Sequence, residues 1–135
     1  MNKSATIMLV DDDEDDRLIF TSVISEIDAT IDCICFSTAL NSLKTLQTKD
    51  TGKPDCIFLD LNLPLMHGFE FLKIIKTSKD LHDIPVIIYS TSSREADKIK
   101  AKELGASNFL SKPSSMRDLK EKVTELLTTV CCNNN

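Results

Sequence analysis

Short apolar runs alternate with helix-period patterns along most of this chain. Residues 7–10, 31–36, 56–59, 86–89 and 108–110 read as five strands, and apolar positions recur at helical spacing after each of them. The first helix is predicted over residues 14–27, where Phe20, Val23, Ile24 and Ile27 fall at i, i+3, i+4 and i+7 and form one inner face. Ser37 is the expected N-cap of a second helix that turns Ala39, Leu43 and Leu46 inward, and residues 50–54 supply the turn after it. Pro64 and Gly68 mark residues 61–68 as a long loop, followed by a third helix over residues 69–78. Pro85 opens the fourth strand. Gly105 stops a fourth helix over residues 93–104. Met116, Leu119, Val123, Leu126, Leu127 and Val130 make the clearest apolar stripe and define the last helix. Strand and helix alternating in this way predict an α/β fold with a five-stranded, doubly wound parallel sheet and helices on both faces. The unbroken apolar run at 56–59 suits a central strand covered on both sides.

Composition narrows the function classes. A chain of 135 residues with 41% apolar and 27% charged residues has enough apolar material for one packed domain, with a core expected over about residues 6–130 and a frayed tail over 131–135. The net charge of −5, with basic residues scattered, argues against a nucleic-acid surface. No apolar stretch approaches the roughly 18 residues needed to span a bilayer, and residues 1–6 lack the apolar segment of a secretory signal, so no membrane partner and a cytoplasmic location are expected. Five cysteines are an odd number without framework spacing. Cys33, Cys35 and Cys56 stand in apolar runs and are expected to be reduced, behaving as small buried hydrophobes.

The chemistry lies where the strands end. Residues 7–10 run into Asp11 and Asp12, 56–59 into Asp60, 86–89 into Ser90, and 109–110 through Ser111 to Lys112. Parallel strands gather these residues at one edge of the sheet, in the crevice where open α/β sheets bind ligands. Asp11 and Asp12 close a buried strand, where adjacent carboxylates repel one another unless a cation neutralises them, and an all-oxygen ligand set suits Mg²⁺. Asp13 to Asp16 have a simpler explanation as acids at a helix N-terminus. Asp60 can act as metal ligand, base or nucleophile, the last giving an aspartyl phosphate.

Those residues, in their order and spacing, resemble the receiver domain of two-component response regulators over residues 7–130. The likeness is carried by Val10, Asp11 and Asp12, by Asp60 with Pro64 and Gly68 at +4 and +8, by residues 85–90, by Gly105, Ala106 and Ser107, and by residues 109–113. It implies a flavodoxin-like fold in which Asp60 is the phosphoacceptor, charged by a histidine kinase. Asp12, Asp60 and the backbone carbonyl of Asn62 would hold Mg²⁺, with Asp11 contributing through water. Lys112 would pair with the acyl phosphate, Ser90 and Phe109 would be the switch residues, and the Lys112 to Pro113 bond would be cis.

The chain departs from the common pattern at two places. Thr91 follows Ser90 where Ala or Gly is usual, which would narrow access to the phosphoryl group, and His67 replaces an acid or amide. The expected function is that of a stand-alone response regulator, a monomer or weak dimer that catalyses only its own phosphorylation and dephosphorylation. Its output would be phosphorylation-dependent binding to another protein through the face of the fourth helix, fifth strand and fifth helix. Alternatives are a relay passing phosphate to a histidine phosphotransfer protein and a Mg²⁺-dependent phosphohydrolase. Against the last, Asn62 stands where aspartate-nucleophile phosphatases carry a second acid at +2.

Overall fold

In the computed structural model, which describes residues 5–48 and 52–131, all five expected strands join one parallel sheet in the order β2-β1-β3-β4-β5. The strands are β1 (Thr6–Val10), β2 (Asp32–Phe36), β3 (Cys56–Leu59), β4 (Val86–Ser90) and β5 (Asn108–Ser111). The helices are α1 (Glu14–Ile27), α2 (Ala39–Leu46), α3 (Gly68–Thr77), α4 (Glu95–Glu103) and α5 (Met116–Leu126), the last closed by a wider turn over Leu127–Cys131.

Strand alternation divides the core in two. Met8, Val10, Ile57, Leu59, Val86 and Ile88 face the helices α2 and α3 and Ala101 of α4, while Ile7, Leu9, Cys56, Phe58, Ile87 and Tyr89 face α1 and α5. On the second face Phe20 packs against Phe58 and Tyr89, with ring centroids 4.8 and 5.4 Å apart. The chain winds outward from β1 to β2 and returns to add β3 on the other side of β1. That reversal opens a crevice at the ends of β1 and β3.

Several expectations change. Thr38, not Ser37, caps α2, its hydroxyl accepting the Asn41 N–H at 3.2 Å, because the helix begins at Ala39 and the cap is the residue before it. Met116 is 46% exposed rather than inward, since it opens α5 one turn ahead of Leu119, where burial begins. Cys33 and Cys35 are free and half-buried, but Cys56, wholly buried on the α5 side, is disulfide-bonded rather than reduced. The Lys112 to Pro113 bond is trans, the form that X–Pro bonds prefer by about 0.5–1 kcal/mol. The first residues of the turn expected at 50–54 lie outside the described residues, as does the tail beyond Cys131.

Candidate functional site

Four polar residues are buried among the described residues: Asp11, Ser42, Asp60 and Ser90. Ser42 is satisfied locally, its hydroxyl donating to the Ala39 carbonyl at 2.8 Å. The other three stand at the ends of β1, β3 and β4, where burial needs another reason.

The sheet places them. The Asp11 N–H donates to the Phe36 carbonyl at 3.0 Å and the Asp60 N–H to the Val10 carbonyl at 2.9 Å, so both acids leave the sheet from neighbouring strands. Lys112, whose own N–H donates to the Ser90 carbonyl at 2.7 Å, arrives from β5. Its ammonium lies 2.7 Å from Asp11 Oδ2, 2.8 Å from Asp16 Oδ2 and 3.5 Å from Asp60 Oδ2, and its side chain is only 9% exposed. The Tyr89 ring lies beneath it at 5.1 Å. Three segments far apart in the chain thus meet at one buried charge cluster.

Three carboxylates surround one ammonium, and the protonation behaviour follows that imbalance. Burial pushes the Asp11 carboxyl above its ordinary value even though hydrogen bonds from Lys112 and Asp13 pull it down. Burial alone would lower Lys112, but its hydrogen bonds to Asp11 and Asp16 and the fields of Asp11 and Asp60 outweigh it and hold the ammonium protonated. Tyr89 is pushed up to about 12, chiefly by burial, and stays neutral. The cluster is short of positive charge.

Asp11, Asp12 and Asp60 each offer an oxygen within 4.8 Å of the others, with Asp12 exposed at the mouth. Oxygen-only donors around a negative site fit a hard divalent cation. The Asn62 N–H reaches Asp60 Oδ1 at 3.3 Å, which holds the start of the loop beside the carboxylate. Ser90 Oγ accepts the Ser92 N–H at 3.2 Å. The Ser92 hydroxyl bonds Asp97 Oδ2 at 2.6 Å, and Ser111 donates to the Ser92 carbonyl at 3.0 Å. A cleft of about 410 Å³ opens next to Ser90, lined by residues of the loops after β3 and β4, among them Asn62, His67, Thr91 and Arg94. Phe109 is half-buried and packs against the α3 and α4 side of the core, outside the charge cluster.

A family model for the response regulator receiver domain matches residues 7–124. The chain belongs to this family. The receiver domain is 33% identical to response regulator Rcp1 of Synechocystis sp. over 87% of this chain and 83% of that protein. The Mn²⁺-bound form of Rcp1 superposes with a TM-score of 0.84 at 30% identity, covering 97% of each chain. A phosphorylated cyanobacterial phytochrome response regulator, RcpA, shares the fold with a TM-score of 0.87 at 23% identity over 98% of each chain. Other relatives are longer: the chain spans 36% of a protein-glutamate methylesterase from Halalkalibacterium halodurans and 49% of the transcriptional regulator PhoP from Bacillus subtilis. The protein is therefore a response-regulator receiver domain, and its three acids are grouped closely enough to share a divalent cation.

Two residues of the site were hidden from sequence reasoning. Asp16 looks like one more acid at a helix start, yet it stands four residues before Phe20 and so continues the inner stripe of α1 towards the sheet edge. An acid on a buried stripe is the signal. Arg17 braces the backbone, its Nη1 donating to the Asp11 carbonyl at 2.8 Å. His67 also finds its reason: Nδ1 accepts the Phe69 N–H at 3.0 Å while Glu70 accepts the His67 N–H at 3.0 Å, a reciprocal cap on α3.

Proposed function

We propose that Asp60 is the phosphoacceptor of a Mg²⁺-dependent receiver that signals by phosphorylation-dependent binding to another protein. The observation that carries this reading is Lys112, drawn from the far end of the sequence to within 3.5 Å of Asp60 in a cluster of acids. An oxygen of Asp60 bonds to phosphorus as the donor's bond to phosphorus breaks, and such a transfer needs in-line positioning and neutralised oxygens more than covalent assistance. Asp11, Asp12, Asp60 and the Asn62 carbonyl are the residues that would hold Mg²⁺, which when bound neutralises the acids and the phosphoryl oxygens. Lys112 supplies the second positive charge. Ser90, now accepting from Ser92, can rotate its hydroxyl to donate to a phosphoryl oxygen, and Phe109 takes up the space that this movement leaves.

The natural donor in this reading is a histidine kinase or a histidine phosphotransfer protein, and the place is the cytoplasm. Among the described residues no helix is long and apolar enough to cross a membrane. The domain catalyses only its own phosphorylation and dephosphorylation.

Incubation with Mg²⁺ and acetyl phosphate is expected to add one phosphoryl mass to the parent and none to Asp60→Asn, read by intact-mass spectrometry. Label retained in Asp60→Asn would remove the assignment. Ser90→Ala keeps nucleophile and acids, so it should accept the label while losing most of the amide shift changes at α4 and Phe109 that a phosphoryl mimic produces. A charge-assisted hydrogen bond of about 1.5–3 kcal/mol is large enough to account for a modest two-state shift. Shift changes in Ser90→Ala equal to the parent's would exclude Ser90 as the switch.

A further inference from the structure

The acidic run 11–16 does not act as a unit. Asp13 caps α1, its side chain accepting the Asp16 N–H at 3.0 Å, and Glu14 and Asp15 are exposed in the first turn, as the helix dipole favours. Asp16 instead reaches over the sheet edge to the Lys112 ammonium at 2.8 Å. It is not one of the three acids grouped closely enough to share a cation.

We propose that Asp16 is a positioning residue that restrains Lys112, holding the ammonium on the α1 side of the cluster and opposing its transfer to a phosphoryl group on Asp60. The ammonium hydrogen-bonds Asp11 at 2.7 Å and Asp16 at 2.8 Å, whereas Asp60 stands off at 3.5 Å. An ammonium has three N–H donors, and two are committed away from the phosphoacceptor. When a cation engages Asp11, Asp12 and Asp60, Asp16 remains as the one acid of the cluster whose whole charge acts on Lys112.

A second anchor can help a reaction by ordering a flexible side chain, or hinder it by competing. Order is already supplied here: Lys112 is 9% exposed, held by Asp11, laid over the Tyr89 ring and pinned through its backbone to Ser90. What Asp16 adds is a captured donor and one more negative charge beside the place where phosphoryl oxygens arrive. Both act against the phosphorylated state.

The inference rests on Asp60 as phosphoacceptor, and its test separates the two. Binding of trifluoroberyllate, an acyl-phosphate mimic assembled from beryllium and fluoride, is measured in saturating Mg²⁺ by amide chemical shifts on the full chain. Asp16→Ala should bind the mimic about fivefold more tightly than the parent, the scale of one partly exposed ion pair. Asp16→Asn, which keeps the side chain's shape, should move in the same direction, and Asp16→Glu should return to within twofold of the parent. Asp15→Ala removes the same charge one residue away and should change affinity less than twofold. Direct Mg²⁺ titration should be within twofold for all four variants. Weaker mimic binding in Asp16→Ala, or an effect no larger than that of Asp15→Ala, overturns the restraint. Mimic binding that survives Asp60→Asn overturns the phosphoacceptor assignment itself, and the restraint with it.

Discussion

Replacing Lys112 with Met is expected to destabilise the metal-free protein by about 3–5 kcal/mol at neutral pH, the cost of leaving buried acids without their counter-charge. Asp11 is wholly buried and Asp60 nearly so, and neither can turn to water for compensation without opening the sheet edge. The deficit has a definite pH dependence. In the parent, the raised Lys112 contributes stability that is complete below the unfolded lysine value of about 10.4 and is lost as pH rises through its higher folded value. Asp11 is raised by burial, so its ionised form costs stability above its folded value, and that cost vanishes as pH falls through it. Removing the ammonium takes away the group that pulls Asp11 down and raises it further. Urea midpoints should therefore show parent and variant farthest apart at neutral to mildly alkaline pH and converging on the acid side, with Mg²⁺ restoring part of the loss. A gap that stays constant from pH 5 to pH 8 would show that Lys112 acts by packing rather than by charge.

Gly68→Ala should damage fold and site together. A Cβ at Gly68 would lie 2.5 Å from the Asp60 carbonyl oxygen and 2.7 Å from Leu61 Cα, both backbone atoms that no rotamer change can move aside. The Gly68 N–H also donates to the Leu61 carbonyl at 2.8 Å, tying the start of α3 to the end of β3. Relief requires pushing α3 away from the strand that leads into Asp60. The expected loss is about 1–3 kcal/mol, as for other overpacked positions, together with slower phosphorylation by acetyl phosphate. Gly52→Ala is the control, because among the described residues nothing lies within 4 Å of a Cβ placed there, and its effect should stay within about 0.5 kcal/mol. Equal midpoints for the two variants would mean that the close approach at Gly68 carries no strain.

What the sequence revealed follows from which residues had ordinary alternatives. Asp60 was legible because it ends an apolar strand at a point where no helix needs a cap, and the structure buries it there. Asp11, Ser90 and Lys112 were legible only as a set, since each alone passes for a helix-start acid, a turn serine or a surface lysine. Asp16 was not legible, because an acid in the first turn of a helix is common, and only its phase relative to Phe20 marks it. His67 stood out as unusual, but its use as a cap through Nδ1 depends on the loop path that brings the Phe69 N–H to it. The bonded state of Cys56 left no trace in its own strand, where it reads as one more small apolar residue. Thr38 rather than Ser37 as cap was a shift of one position between two equivalent hydroxyls.

The partners in the charge cluster are separated by 101 residues between Asp11 and Lys112 and by 96 between Asp16 and Lys112. Contacts of such span close long loops, which cost more entropy to close than short ones and slow folding. A chain emerging from the ribosome has made all its site carboxylates long before it makes the lysine that balances them. An intermediate with β1 and β3 paired but β5 still undocked carries the acids and lacks the ammonium. With Asp60 as the proposed phosphoacceptor and Lys112 as its counter-charge, receptivity to phosphate arrives with the last strand, and a phosphorylated molecule is one whose β5 has docked.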